Sequence, residues 1–314
     1  MKRFMFLALI LTVAALASAP AFASGDFIIG AGAGGQNQTN YAETGGWAAS
    51  SGVSTAPDLV GASRYSGAGS LFGPARQAYA FWNPTSTGYY DISLAWPSTA
   101  GEKNTAVTLY TGASSGGPAD QWGNAGPSDV ITAGTMDMYY RATNTWNLFT
   151  TAKLDTGTTY KVGVYAGYKS PGADGVASNR VAVSGFKFSQ AVSGAAAGTG
   201  LANGGAGNAE DFAELNWTAG NYTQLFDVYF GTTSGALSLV AGNLDVSNLA
   251  YGIEPGSLAG GTTYFWRVDS KNLDKVTLGN EYSFTTNAVP EPGSMLALGT
   301  GLIGLLGMIR RKRA

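Results

Sequence analysis

Alternation of apolar and polar residues runs through most of the chain and predicts short β-strands. The first clear case is the segment 88–96, whose one face carries Tyr90, Ile92, Leu94 and Trp96. Gly, Pro, Asn and Ser separate this segment from others of the same kind, and such spacing is typical of a sandwich or a barrel. The further candidate strands are 105–111, 137–143, 145–151, 158–166 and 180–188.

The last of these candidate strands changes phase in its middle. Valines alternate in the first half of segment 180–188 and phenylalanines alternate in the second half. Because the shift falls at Gly185, we expect a β-bulge there.

A second set of alternating segments occupies the last third of the chain. Tyr264, Trp266 and Val268 share one strand face, and Trp217 is expected in the core. The candidate strands are 215–217, 226–232, 258–269 and 282–286.

The stretch between the two sets consists almost wholly of small residues. Within 191–208 the one large side chain is Leu201, so the stretch cannot bury enough apolar surface to order itself. We expect a flexible Gly/Ala-rich linker or a long loop at 190–208. The predicted fold class is therefore all-β, with two β-sandwich domains in tandem at 26–189 and 209–287.

The N-terminus has the three parts of a secretory signal peptide. Two basic residues precede an apolar run, and Ala21 and Ala23 then form a small-x-small pattern before Ser24. Only small side chains fit the signal peptidase beside the cut, so we expect residues 1–23 to be removed. An uncleaved membrane anchor is the alternative, but the apolar run is short for a span.

The C-terminus combines a proline motif, an apolar segment and a basic end. The motif is Val289, Pro290, Glu291 and Pro292, and its prolines cannot continue a helix. A single transmembrane helix is predicted at 295–309, with a length of about 22 Å at 1.5 Å per residue. By the positive-inside rule, the basic end should stay in the cytosol and the body outside; this end is Arg310, Arg311, Lys312 and Arg313.

These three parts, in this order, resemble the PEP-CTERM sorting signal over residues 289–314. The resemblance implies recognition by an exosortase, a transpeptidase-like enzyme in the inner membrane of Gram-negative bacteria that make exopolysaccharide. It also implies a transient inner-membrane intermediate, removal of the tail, and passage to the cell surface or the extracellular matrix. A permanent single-span anchor is the alternative, and both interpretations place the body outside the inner membrane.

Composition excludes several classes of function. The two predicted targeting segments at the ends hold six of the 18 basic residues and one of the 20 acidic residues. The body between them keeps 12 basic and 19 acidic residues, which gives it a net charge of −7. An acidic body argues against nucleic acid as a partner. The chain has no His and no Cys, which excludes a disulfide, a thiol nucleophile, a Ser-His-Asp triad and a His/Cys zinc site.

The first domain resembles the golvesin-type β-sandwich, an accessory extracellular module. The residues that carry the resemblance are Tyr41, Trp47, Ser63-Arg64-Tyr65, Ala80-Phe81-Trp82, the segment 88–97 and Trp146-Asn147. Arg180-Val181-Ala182-Val183 departs from that family's last strand, so no family-specific site is carried over.

The second domain resembles a fibronectin type III-like sandwich of the bacterial extracellular kind. Leu-Asn-Trp at 215–217 and the aromatic strand at 226–232 carry the first part of the resemblance. Leu258 and Tyr264 would form its tyrosine corner, with the phenol bonded back to the backbone. Such modules usually serve as spacers or adhesive units.

Few side chains suggest a binding or catalytic site. Trp122 lies in a polar loop and is the candidate for contact with a glycan or a protein partner, whereas Trp82, Trp96 and Trp146 on strands favour the core. Calcium, held by Asp120, Asn124, Asp129 and Asp137, is a weaker alternative because no calcium-loop pattern occurs. No motif groups the acids that a glycosidase needs, and they are Asp91, Asp155, Glu210 and Asp211.

The sequence therefore predicts a non-enzymatic, exported structural or adhesion protein of the cell surface or matrix, associated with exopolysaccharide. No cofactor and no metal are expected. A carbohydrate-binding protein with a defined glycan site in the first sandwich is the alternative, and a polysaccharide-degrading enzyme is a third hypothesis.

Overall fold

The computed structural model describes residues 25–67, 76–102, 105–111, 130–166, 180–199, 205–208, 213–254 and 256–287. Over these residues the protein is all-β, which confirms the predicted fold class, and one short 3-10 helix occurs at Gln38–Asn40. No helix within these ranges is long and apolar enough to cross a membrane. The predicted signal peptide and the predicted helix at 295–309 lie outside the described residues.

Twelve strands make up the first half of the described chain. They are β1 Phe27–Gly30, β2 Tyr41–Thr44, β3 Ala48–Ala49, β4 Arg64–Ser66, β5 Arg76–Trp82, β6 Gly88–Ala95, β7 Thr105–Thr111, β8 Val130–Met136, β9 Asn147–Leu154, β10 Tyr160–Ala166, β11 Val181–Val183 and β12 Gly185–Gln190. A four-stranded sheet has the order β1-β12-β6-β9 and a five-stranded sheet has the order β2-β5-β10-β7-β8. The small sheet β11-β4-β3 is the third.

The inward faces of the two large sheets share one hydrophobic core. Ile92 and Leu94 of β6 and Val162 and Val164 of β10 are all fully buried in it, as their alternation predicts. Trp82 packs in the same core, with its ring 4.7 Å from that of Phe188. This is the packing of a β-sandwich, in which the burial of large apolar side chains from both sheets stabilises the domain.

The phase change at Gly185 is a change of sheet and not a bulge inside one strand. β11 pairs with β4, whereas β12 pairs with β1 and β6. A Cβ on Gly185 would lie 2.5 Å from Leu59 Cδ1 and 2.9 Å from the carbonyl oxygen of Ile29. Only glycine fits where the chain crosses so close to its neighbours, which is why the alternation breaks at this residue.

The predicted strand at 137–143 is wrong, because the chain turns there. The Oδ1 atom of Asp137 accepts the backbone N–H groups of Tyr139 and Tyr140 at 2.9 and 2.8 Å. An aspartate that binds the backbone two and three residues on competes with strand pairing and favours a turn. The next strand, β9, begins at Asn147.

Nine strands make up the second half. They are β13 Ala197–Gly198, β14 Gly205–Asn208, β15 Ala213–Thr218, β16 Leu225–Gly231, β17 Ser238–Asp245, β18 Ala250–Ile253, β19 Thr263–Asn272, β20 Lys275–Thr277 and β21 Glu281–Thr286. One sheet has the order β13-β15-β18 and the other has the order β14-β21-β19-β16-β17, with β20 paired to β19. Trp217, Phe226, Trp266 and Phe284 are buried in the core that these sheets share.

Both sandwiches contain the same tyrosine corner. The predicted corner is present, because the backbone N–H of Ala259 donates to the Tyr264 hydroxyl at 2.8 Å and Leu258 is buried beside it. The same geometry occurs in the first sandwich, where the N–H of Asp155 donates to the Tyr160 hydroxyl at 2.7 Å. The pattern Leu-x-x-Gly-Thr-Thr-Tyr at 154–160 and 258–264 carries both corners.

Part of the stretch predicted as a flexible linker is packed into the fold. Ala191, Ser193 and Ala196 are buried, Ala196 belongs to the second core, and Ala197–Gly198 is strand β13. Small residues allow the backbone to pack closely against the core here, since a Cβ on Gly198 would lie 2.7 Å from a ring atom of Trp266. A composition of small residues thus indicates tight packing as well as flexibility.

Candidate functional site

The residues predicted for targeting and for glycan contact lie outside the described residues. They are Ala21, Ala23, Ser24, Trp122, Val289, Pro290, Glu291, Pro292, Arg310, Arg311, Lys312 and Arg313. Of the four calcium candidates only Asp137 is described, and it accepts the backbone hydrogen bonds of its own turn. The described ranges contain no group of three or more acidic residues placed to hold a metal ion.

The described tryptophans of the first sandwich have structural contacts. Trp82 and Trp96 are buried in the core as expected, and Trp47 is buried with them. The sequence also predicts Trp146 in the core, but this residue is half-buried and lies just before β9. The Nε1 atom of Trp146 donates to the carbonyl oxygen of Pro57 at 2.9 Å, and the Lys187 ammonium lies 5.3 Å from its ring. These contacts hold Trp146 in place as part of the sandwich surface.

A group of polar and ionisable side chains lies on the outer face of the five-stranded sheet. We call Gln77, Tyr79, Tyr110, Lys161 and Tyr165 the outer-face cluster. Strand alternation places them opposite the core residues of β5, β7 and β10, and the register sets Gln77 beside Tyr165 and Tyr110 beside Lys161. The sequence indicates this face through the alternation of β10, but not the contacts between the strands.

Hydrogen bonds and a cation–π contact join the cluster across three strands. The Tyr165 hydroxyl accepts a short hydrogen bond from Gln77 Nε2 and shares another with the Tyr110 hydroxyl. The Lys161 Nζ atom lies 4.2 Å from the centroid of the Tyr79 ring. Because the ring face is electron-rich, it favours the buried ammonium there.

The Tyr165 phenol of the cluster is not suited to act as a base near neutral pH. Burial raises the pKa of the Tyr165 phenol well above its ordinary value, and the hydrogen bond with Tyr110 raises it further. A general base works best with a pKa near the working pH, so this phenol stays protonated and serves as a hydrogen-bond partner. The cluster is thus suited to cross-strand stabilisation.

Several carboxylates of the described chain are engaged in ion pairs or in hydrogen bonds. Glu43 accepts from Arg64 Nε at 2.6 Å, and Asp227 pairs with Lys271 at 2.7 Å. Of the acids considered for catalysis, Asp91 accepts from the Thr151 hydroxyl at 2.6 Å, whereas Glu210 and Asp211 lie outside the described residues. The partners of Glu43 and Asp227 are those of structural ion pairs on sheet faces.

A second feature of the first sandwich is a pair of exposed aromatic rings after β8. Tyr139 and Tyr140 are 46% and 71% exposed, and their ring centroids lie 4.7 Å apart at 89°. Asp137 holds the turn through their two backbone N–H groups, and Arg141 Nη1 donates to the carbonyl of Leu148 at 3.2 Å. We call this feature the tyrosine turn. The sequence pattern does not indicate this turn, because the segment 137–143 is predicted as a strand.

Comparisons with known structures give only distant resemblances. The glycoside hydrolase domain of Endo-D from Streptococcus pneumoniae R6 is 13% identical with a TM-score of 0.24, over 79% of this chain and 37% of that chain. A β-1,2-glucanase from Parabacteroides distasonis is 11% identical with a TM-score of 0.23, over 80% of this chain and 37% of that one. The chain thus spans just over a third of the length of either enzyme structure.

A two-domain fibronectin type III segment of chicken tenascin is 13% identical with a TM-score of 0.27, over 77% of this chain and 97% of that chain. Resemblances of this size establish neither an activity nor a ligand. The comparison with curated proteins gave no match. The golvesin-type resemblance of the first domain stays a prediction.

The C-terminus has a specific match. Residues 288–312 fit the family described as the PEP-CTERM protein-sorting motif, which confirms the sorting signal predicted from its three parts. The matched range begins two residues after the end of β21 at Thr286, so the sorting motif directly follows the second sandwich. The protein therefore carries a PEP-CTERM sorting motif behind an all-β body, and this motif implies an exported protein that is targeted to an exosortase.

Proposed function

We propose that this protein is a non-enzymatic structural or adhesion protein of the cell surface or extracellular matrix, associated with exopolysaccharide. The observation that carries the proposal is the sorting motif at 288–312 directly behind an all-β body. In this account signal peptidase removes residues 1–23 and the chain stays briefly in the inner membrane. An exosortase then removes the tail, and the two sandwiches remain outside the cell.

The composition of the body supports the structural role. A chain without His or Cys has no thiol nucleophile and no Ser-His-Asp triad, and on a sheet face the Lys271 ammonium and the Asp227 carboxylate are held in an ion pair. The raised pKa of Tyr165 further removes a candidate base.

Replacement of the motif tests the sorting step. The full chain with Pro290, Glu291 and Pro292 all changed to alanine is expressed in the native host beside the wild-type protein. We expect the variant to accumulate in the inner membrane, because the extended motif beside the membrane becomes able to continue the helix. A control chain with Ser247→Ala, on an exposed loop of the second sandwich, should be sorted normally. Equal release of all three chains would refute the proposal.

Glycan binding by the first sandwich is the second candidate function, and the tyrosine turn favours it. Flat aromatic faces pack against the C–H groups of sugars, and two exposed phenol rings on a turn held by Asp137 provide such faces at little conformational cost. The predicted contact of Trp122 remains part of this hypothesis.

A pull-down with the host's own exopolysaccharide distinguishes this candidate. Tyr140→Ala should weaken retention on the polysaccharide if the turn is the glycan contact, and Trp122→Ala tests the other predicted residue. Val60→Ala, which truncates another exposed apolar side chain of the same sandwich, is the control. If retention on the polysaccharide is unchanged in both aromatic variants, neither residue is a glycan contact. The structural role would then stand without a defined glycan site.

A further inference from the structure

The β19–β20 hairpin of the second sandwich has a turn that its own domain does not explain. Asn272 pairs with Lys275, so Leu273 and Asp274 form a two-residue turn. Such turns favour Asn and Gly because their backbone enters the left-handed region. Leu273 nevertheless adopts a φ of 54°, which costs free energy in a residue with a branched side chain. A strained leucine at a turn points to a function for its side chain.

The Leu273 side chain lies in the first sandwich. It packs against the first hydrophobic core, although it belongs by sequence to the second sandwich. A Cβ added to Gly88, the first residue of β6, would lie 2.5 to 2.7 Å from the branched end of this leucine. Gly88 thus leaves the space that Leu273 occupies, and the strain at the turn is offset by burial of the leucine against the first sandwich.

Asn272 supplies the polar half of the same contact. It is fully buried, and its side chain accepts from the N–H of Tyr89 at 3.0 Å. Its Nδ2 atom donates to the carbonyl oxygens of Tyr89 and Ala191, both at 2.8 Å. A buried amide with all these partners satisfied fixes both the position and the rotation of the hairpin.

Further contacts surround the hairpin on both sides. Gln224 Nε2 donates to the carbonyl of Thr87 at 3.1 Å, and its Oε1 accepts the N–H of Leu273 at 3.3 Å. The ring of Tyr222 lies 5.6 Å from that of Tyr89. Lys275 Nζ donates to the carbonyl of Gln190 in a short hydrogen bond.

The segment that connects the sandwiches is held by the same end of the second sandwich. Ser193 Oγ bonds to the carbonyl of Ser270, and Thr277 Oγ1 donates to the carbonyl of Ser193 at 2.7 Å. The N–H of Gly194 donates to the carbonyl of Asn221, also at 2.7 Å. Ser193 and Gly194 of this segment therefore have partners in the second sandwich, which argues against a free hinge at these residues.

We propose that the turn at Asn272 and Leu273 is a docking element that locks the two sandwiches into one rigid unit. The first sandwich is its partner and supplies Gly88 and Tyr89, and Ala191 of the connecting segment adds a carbonyl oxygen. A fixed joint sets the orientation of the first sandwich relative to the second. This inference does not depend on the proposed function, because it concerns the joint and not the destination of the protein.

Distance measurements between the sandwiches test the joint. The chain contains no cysteine, so Val53→Cys and Leu249→Cys, at exposed positions of the two sandwiches, give two unique spin-label sites in the full chain. We expect one narrow distance distribution by double electron–electron resonance. A broad distribution in this otherwise native chain would overturn the proposal.

Variants of the turn sharpen the test. Leu273→Gly removes the docking side chain and relieves the strained backbone, and Asn272→Ala removes the buried amide. Each should broaden the distribution, whereas Leu278→Ala, which truncates a 65% exposed leucine beyond the same hairpin, should leave it narrow. If Asn272→Ala fails to fold, Gln224→Ala tests the same joint from the neighbouring loop. A distribution that stays narrow in Leu273→Gly and in the Gln224 or Asn272 variant would also contradict the proposal.

Discussion

At the residue scale, single side chains that bridge strands stabilise both sandwiches. The corner tyrosines Tyr160 and Tyr264 each accept a backbone N–H at the start of the turn before their own strand. The corner in the second sandwich could be predicted from the sequence, and its contact is confirmed. The corner in the first sandwich could have been found too, since Leu-x-x-Gly-Thr-Thr-Tyr occurs twice.

Removal of either corner hydroxyl should therefore destabilise the protein. Tyr160→Phe and Tyr264→Phe each leave a partly buried N–H without its acceptor, and we expect a loss of about 1–3 kcal/mol in the free energy of unfolding. Urea denaturation measures the loss. The control is Tyr251→Phe, since Tyr251 is half-buried and its hydroxyl has no hydrogen bond within the described ranges. Equal stability of the corner variants and the control would contradict the assignment.

The raised pKa of Tyr165 predicts how stability changes at high pH. The folded protein keeps this phenol protonated above the ordinary tyrosine pKa of about 10. Its full contribution to the free energy of unfolding is therefore present below that pH. The contribution is lost as the pH rises above about 10, where the unfolded chain ionises and the folded chain does not.

Tyr165→Phe should accordingly reduce the alkaline loss of stability. Unfolding free energies measured from pH 8 to 11 should fall less steeply for this variant than for the wild-type protein. Tyr140→Phe is the control, because Tyr140 is 71% exposed. An unchanged slope in Tyr165→Phe would show that this phenol does not resist ionisation in the folded state.

At the element scale, alternation predicted several strands and the face that each turns to the core, but it failed where another interaction determines the backbone conformation. β6, β10 and β19 follow their predicted faces. The segment 137–143 turns because Asp137 binds the backbone. The stretch after residue 190 is packed because small residues allow close approach, and composition does not distinguish that from flexibility. Cross-strand contacts such as the outer-face cluster depend on register, which alternation leaves open.

Close packing of β13 makes Gly198 sensitive to substitution. Gly198→Val places a side chain where a Cβ would lie 2.7 Å from Trp266 and 2.8 Å from Tyr282, so we expect destabilisation by about 1–3 kcal/mol. Gly252→Val on β18 is the matched control, since no atom lies within 4 Å of its Cβ position. Chemical denaturation followed by tryptophan fluorescence compares the two. If β13 were loosely held, both variants would behave alike.

At the scale of the whole molecule, an all-β body of two cores precedes a sorting motif at the C-terminus. The fold class and the motif could both be predicted from the sequence, because alternation and the proline, apolar and basic parts are local patterns. The joint between the sandwiches could not be predicted, since no local pattern shows that Leu273 contacts the first sandwich.

The proposed function requires that both ends be removed and that the body leave the inner membrane. The intact mass of the protein, recovered separately from the membranes, the cell surface and the medium of its native host, tests this most directly. We predict a surface or medium form that lacks residues 1–23 and everything beyond the Pro290-Glu291-Pro292 region. A protein found solely in the inner membrane, with Arg310 and Arg313 still present, would contradict the account.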